Sequence, residues 1–186
     1  MKSAELLQAK ISGGELVIGA MATFHLWPEL IEMCRKARLD YLIIDWEHGA
    51  FSEELVALVC AQGRLLDFPV LVRPHANSFE AVSKIMDLGP CGLMLAMVND
   101  TTILDEAREA IYLPPRGKRR PGGAGNRWVS GFHYENWKRE VEDDFLVLPQ
   151  IESRIGVENA DGASRPHRPA ARVRRTVGEC HGRQRQ

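Results

Sequence analysis

The chain lacks any apolar run long enough to cross a bilayer. Its longest, Leu42 to Trp46 and Leu93 to Val98, fall far short of the roughly 20 residues a spanning helix needs. It lacks a surplus of either charge: 24 basic residues stand against 25 acidic ones, so nothing in the composition calls for nucleic acid or a membrane surface as partner. It also lacks paired cysteines. The four, Cys34, Cys60, Cys91 and Cys180, are scattered, which argues against a zinc cluster and a disulfide framework and suits a reducing cytoplasm. Met1 to Lys10 reads as a polar helix start with no apolar signal core. What is present is 186 residues of ordinary apolar content, enough for one domain with a sizeable core.

Short β-type runs alternate with helical ones. The runs are Leu16 to Ala22, Tyr41 to Glu47, Pro69 to Pro74, Cys91 to Val98 and Phe145 to Glu152, most of them nearly continuously apolar, as strands buried on both faces are. Between them Pro28 can open one helix, and Ser52 can cap a second, with Gly63 following its end. Asn77 and Glu80 are spaced as a capping box for a third, and Asp100 or Thr101 can cap a fourth. A short helix is expected around Tyr134 to Val141. The rhythm predicts an α/β fold with a parallel sheet. Pro114 to Trp128, PPRGKRRPGGAGNRW, is too rich in Pro, Gly and Arg for an element and reads as a long loop. From Gly162 onward the text changes: seven arginines, no lysine and one acid, Glu179. A basic nucleic-acid arm is one reading. A slipped reading frame that leaves a disordered tail is the other and the preferred one. Residues 1–161 and 162–186 are thus expected to be separate units.

Polar residues gather at the C-terminal ends of the runs, where α/β sites lie. The second run ends in Asp45-Trp46-Glu47-His48, the third in Arg73-Pro74, and the fifth in Gln150-Ile151-Glu152. In a closed parallel barrel these ends would meet at one mouth. Each has a plainer reading. Arg73 can bridge Asp45 or Glu47 structurally, Glu152 can favour the start of the next helix, and His25 can be an ordinary surface histidine. Cys91, Met94 and Met97 fit a core better than a ligand set. Arg116, Arg119 and Arg120 fit a solvated face better than an anion clamp. Agreement among three strand tips is what favours chemistry. No lysine ends any of the five runs, which argues against chemistry through a lysine Schiff base.

LIIDWEHG, VLVRP, the LPPRGKR loop and LPQIESRIGVENAD, in this order between about Gly13 and Asp161, resemble the HpcH/HpaI aldolase family, the 2-keto-3-deoxy sugar acid and 4-hydroxy-2-oxo acid aldolases. The resemblance implies part of a TIM (β/α)8 barrel, about five of its eight βα units. It implies a class II aldolase that uses a divalent metal (Mg²⁺, Mn²⁺ or Co²⁺) to cleave 4-hydroxy-2-oxo acids to pyruvate and an aldehyde. His48 would be the catalytic histidine, with Asp45 orienting it. Arg73 would hold the pyruvate oxygens and stabilise the enolate, with Gln150 as a polar wall. Glu152 would be a metal carboxylate, and Glu47 an acid near the metal-bound waters.

The sequence departs from the family after Asp161. The second metal ligand, an aspartate in a Gly-Pro-x-Asp-Leu type motif, has no counterpart, and neither do strands six to eight. A truncated or frameshifted chain that is unstable alone is therefore expected, from a full-length parent that would be an active, hexameric cytoplasmic aldolase with a small 2-oxo acid as its partner. A non-catalytic fragment or pseudoenzyme, and citramalyl or malyl thioester cleavage, are the alternatives.

Overall fold

The computed structural model describes residues 1–120, 122, 129 and 133–160; the arginine-rich segment 162–186 lies outside them. The described elements run α1 (Lys2–Gly13), β1 (Gly19–Ala22), α2 (Leu30–Lys36), β2 (Tyr41–Asp45), α3 (Glu53–Leu65), β3 (Val70–Arg73), α4 (Phe79–Leu88), β4 (Gly92–Leu95), α5 (Thr101–Ile111), α6 (Tyr134–Trp137), β5 (Leu146–Pro149) and α7 (Arg154–Glu158). A π-helical turn, Lys138–Glu142, follows α6. The strands form one parallel sheet in chain order.

Alternation along each strand divides the core in two, because successive side chains leave a strand on opposite faces. Leu42, Ile44, Val70, Val72, Leu93 and Leu95 join a large cluster with the helices, including Val56, Val59, Ile85 and Ile111. Ile43, Leu71, Cys91 and Leu146 face the other way and pack against Ala4 and Leu7 of α1. The same parity carries Asp45, Arg73 and Gln150 to the α1 side, at the opposite ends of the strands from α1 itself. Asp45 and Arg73 are direct cross-strand partners.

Several elements differ from expectation for local reasons. β1 starts at Gly19 rather than Leu16, because its neighbour β2 begins at Tyr41, opposite Gly19; Leu16 is left exposed. α2 starts at Leu30, two residues beyond Pro28. Gly63 lies inside α3 rather than after it, where a Cβ would collide with Val70 and the Phe68 carbonyl. Helix α4 is capped by Ser78, whose Oγ accepts from the Ala81 N–H at 3.4 Å. Asn77 instead donates to the Ala96 carbonyl at 2.7 Å. Ser52 and Asp100 cap α3 and α5 as expected. Met97 is exposed rather than core, with a left-handed φ of 53°.

The arginines of the long loop also part company. Arg120 is exposed, but Arg119 is fully buried. Its Nη2 lies 2.5 Å from Asp87 Oδ1 and its guanidinium sits 5.1 Å over the Trp137 ring, while the Arg116 guanidinium sits 4.3 Å over Tyr112. Arg116 reaches the buried Glu142 at 3.0 Å, which also accepts the Leu113 N–H at 2.7 Å. Burial pushes the Glu142 carboxyl above its usual range despite these donors. The start of the loop is thus clasped to the π-helical turn by buried charge.

Candidate active site

The five residues after Ile44 turn tightly around one carboxylate. Asp45 Oδ1 accepts the backbone N–H groups of Glu47 and His48, both at 3.2 Å, and Gly49 N–H closes the turn on the Asp45 carbonyl at 3.0 Å. A Cβ at Gly49 would run into that carbonyl oxygen, so the turn needs glycine there.

From β3, Arg73 meets the same carboxylate through a two-pronged pair, Nε to Oδ1 at 2.9 Å and Nη2 to Oδ2 at 2.7 Å. This is the geometry that matches a planar guanidinium to a carboxylate. Thr23, just past β1, donates to Oδ2 at 3.0 Å. Burial pushes the Asp45 carboxyl up, but Arg73, the His48 N–H and Thr23 together pull it below the ordinary carboxylate range. Arg73 is in turn held charged, first by the bond to Asp45 and then by the fields of Glu47 and Glu152.

Arg73 has two further neighbours. Glu47 Oε2 stands 3.2 Å from its Nε, and its Nη1 points to Gln150 Oε1 at 3.4 Å, from the end of β5. A guanidinium carries five N–H donors, so among the described residues one N–H on each terminal nitrogen remains available. The His48 side chain is 65% exposed, and its Nε2 lies 3.9 Å from Glu47 Oε2.

Asp45, Glu47, Arg73 and Gln150 are therefore in direct contact, and His48 joins them beside Glu47. Glu152 is exposed at the start of the segment leading to α7, close enough for its charge to act on Arg73. His25 is exposed on the loop after β1. Thr23 was not singled out by the sequence. The signal was available in register, since Ala22 pairs with Ile44 and the next step sets Thr23 beside Asp45.

A hard divalent cation takes about six oxygen ligands. Glu152 is the carboxylate expected to serve one, and among the described residues no three acidic, histidine or cysteine side chains are grouped to hold an ion. Among the described residues the donors do not amount to a metal centre. A cleft of 710 Å³ opens at the other end of the strands, beside Lys2, Asp67, Gly89 and Asp144. Two ion pairs lie within its lining, Lys2 with Asp67 and the Met1 amine with Asp144. Among the described residues no helix is long and apolar enough to cross a membrane.

Residues 26–166 match the family model described as HpcH/HpaI aldolase/citrate lyase. The chain is 29% identical over 161 residues to a hydroxypyruvate/pyruvate aldolase of Deinococcus radiodurans, covering 81% of this chain and 54% of that protein. It is 27% identical over 153 residues to a 2-keto-3-deoxy-L-rhamnonate aldolase of Shigella boydii, covering 82% of this chain and 57% of that protein. Its fold is similar to the crystal structure of an HpcH/HpaI aldolase from Desulfitobacterium hafniense, with a TM-score of 0.76 and 28% identity over 84% of this chain and 60% of that one. The chain thus spans little more than half the length of the curated relatives it matches.

Proposed function

The chain belongs to the HpcH/HpaI aldolase/citrate lyase family, and we propose that it carries the enolate-handling part of a carbon–carbon lyase that cleaves 4-hydroxy-2-oxo acids to pyruvate and an aldehyde. The observation that carries this reading is the Arg73 guanidinium, clamped at the strand tips by Asp45 with donors to spare. The names of the relatives, hydroxypyruvate/pyruvate aldolase and 2-keto-3-deoxy-L-rhamnonate aldolase, support the substrate class.

In the proposed reaction the substrate's 2-oxo and carboxylate oxygens accept the free Arg73 N–H groups, with Gln150 beside them. The His48 imidazole takes the proton of the 4-hydroxyl. As the C4–O bond becomes a carbonyl, the C3–C4 electron pair moves into a C2–C3 double bond and leaves negative charge on the C2 oxygen. Arg73 is already aimed there, so its donors need no reorganisation as the charge develops. Protonation at C3 then gives pyruvate.

The test is pyruvate release from 4-hydroxy-2-oxo acids, with oxalate binding as an independent readout of the enolate subsite. Arg73→Lys keeps the charge but loses the planar fork. It is expected to lower kcat by roughly 10²- to 10³-fold, the usual effect of losing one preorganised donor, and to weaken oxalate binding. Unchanged turnover and oxalate affinity in Arg73→Lys would overturn the assignment.

A further inference from the structure

Among the described residues three other than glycine take a left-handed backbone: Arg38, Asp67 and Met97. Arg38 and Asp67 close the turns that lead from α2 into β2 and from α3 into β3, at the end of the strands away from the site. Tight turns of this kind use a left-handed residue to reverse the chain. Met97 lies elsewhere, two residues past β4, at the tips that carry Asp45, Arg73 and Gln150.

Its φ of 53° is imposed from both sides. The Ala96 carbonyl accepts from Asn77 Nδ2 at 2.7 Å. The Val98 N–H donates to the Gln150 carbonyl at 2.9 Å, and the Gln150 N–H donates to the Leu95 carbonyl at 2.8 Å. Ala96 and Val98 are buried, yet Met97 between them is 48% exposed. The kink thus turns a large apolar side chain out of the packing that both neighbours share. A left-handed conformation is unfavourable for a residue with a Cβ, and the exposed thioether adds little to the core. Strain held at the functional end of a sheet points to use there.

We propose that Met97 is a specificity residue, an apolar wall for the carbon chain of the 2-oxo acid whose head Arg73 anchors. Gln150 joins the two: its backbone holds the Met97 turn, and its Oε1 lies 3.4 Å from Arg73 Nη1. Bonded strands run about 4.8 Å apart, so a chain that leaves Arg73 toward the tips of β4 and β5 meets the thioether within a few carbon–carbon bonds. An unbranched, polarisable side chain adapts to tails of differing shape. The substrates it fits are 2-oxo acids with an aliphatic segment beyond C3. This assignment rests on the enolate reading of Arg73.

The experiment compares calorimetric binding of two unreactive probes, oxalate, which has no tail, and 2-oxohexanoate, which has one. Met97→Ala is expected to weaken 2-oxohexanoate on the order of tenfold, the scale of a lost apolar contact in a specificity pocket, and to leave oxalate within about twofold. Met97→Leu, close in volume, should keep most of the 2-oxohexanoate affinity. In the pyruvate assay Met97→Ala should raise KM for long-chain 4-hydroxy-2-oxo acids with kcat little changed. Thermal melts test the strain separately: Met97→Gly should melt above Met97→Ala, the reverse of the usual order for these two residues. If oxalate binds and Met97→Ala treats both probes alike, the wall is overturned while the enolate reading stands. If neither probe binds the wild-type chain, the enolate reading fails and the wall falls with it.

Discussion

Asp45 is the residue on which the site's geometry turns, and its energetics can be measured without a substrate. Its carboxyl is 1% exposed, and burial alone would raise its pKa. Arg73, the His48 N–H and Thr23 outweigh burial and bring it below the usual carboxylate range. A carboxyl whose folded pKa lies below its unfolded one adds stability that is present above the unfolded value and is lost as pH falls through the folded one. Denaturant melts from pH 7 downward should therefore show stability falling below about pH 4, with this contribution absent in Asp45→Asn. At neutral pH, Asp45→Asn should cost about 3 kcal/mol, because it leaves a buried guanidinium short of its partner. A variant as stable as wild type at both ends of that range would mean the pair contributes nothing.

At the scale of elements, the clasp on the long loop makes a sharper comparison. Arg119 is fully buried with an incomplete partner set: it pairs with Asp87, while its Nε and Nη1 find no hydrogen-bond partner among the described residues. Removing the acid strands a buried cation, so Asp87→Ala is expected to cost on the order of 3–5 kcal/mol. Removing the cation leaves Asp87, which is 30% exposed, free to hydrate, so Arg119→Met should change the melting midpoint little or raise it. Equal losses in thermal melts of the two variants would refute the asymmetry. The sequence could not show this clasp. PPRGKRR carries no periodicity, and the residues that bury Arg119 come from α4 and α6, far along the chain. The strands were legible because a buried parallel strand is a continuous apolar run. Asp45, Arg73 and Gln150 were legible as a group because each ends such a run. What could not be read was the division between the two acids at 45 and 47. Spacing along a turn does not say which carboxylate the guanidinium will occupy.

At the scale of the molecule, the sheet is a five-stranded arc of the (β/α)8 barrel that its structural relatives share. Among the described residues β1 and β5 each have a strand neighbour on one side only. Ile18 and Met21 are 53% and 42% exposed along the β1 edge, with Phe24 84% exposed just beyond it. An apolar edge with unpaired backbone groups invites pairing with another chain, and a lysine on such an edge discourages it. The wild-type chain is expected to sediment as a concentration-dependent mixture of species, and Ile18→Lys with Met21→Lys should shift that mixture toward monomer. Sedimentation profiles that coincide for the two proteins would show that the β1 edge takes no part in association.

The pairing of Asp45 opposite Arg73 has one more consequence, for how the protein matures. Because the two stand at matching positions on neighbouring strands, the clamp doubles as a proofreader of assembly. A slip of β2 past β3 by a single residue would send one partner to the helix-facing side and leave two lone charges in apolar surroundings. Misassembled chains are thereby penalised by the same contact that readies the site, so a population competent to bind an anion at Arg73 is also one whose sheet has zipped correctly.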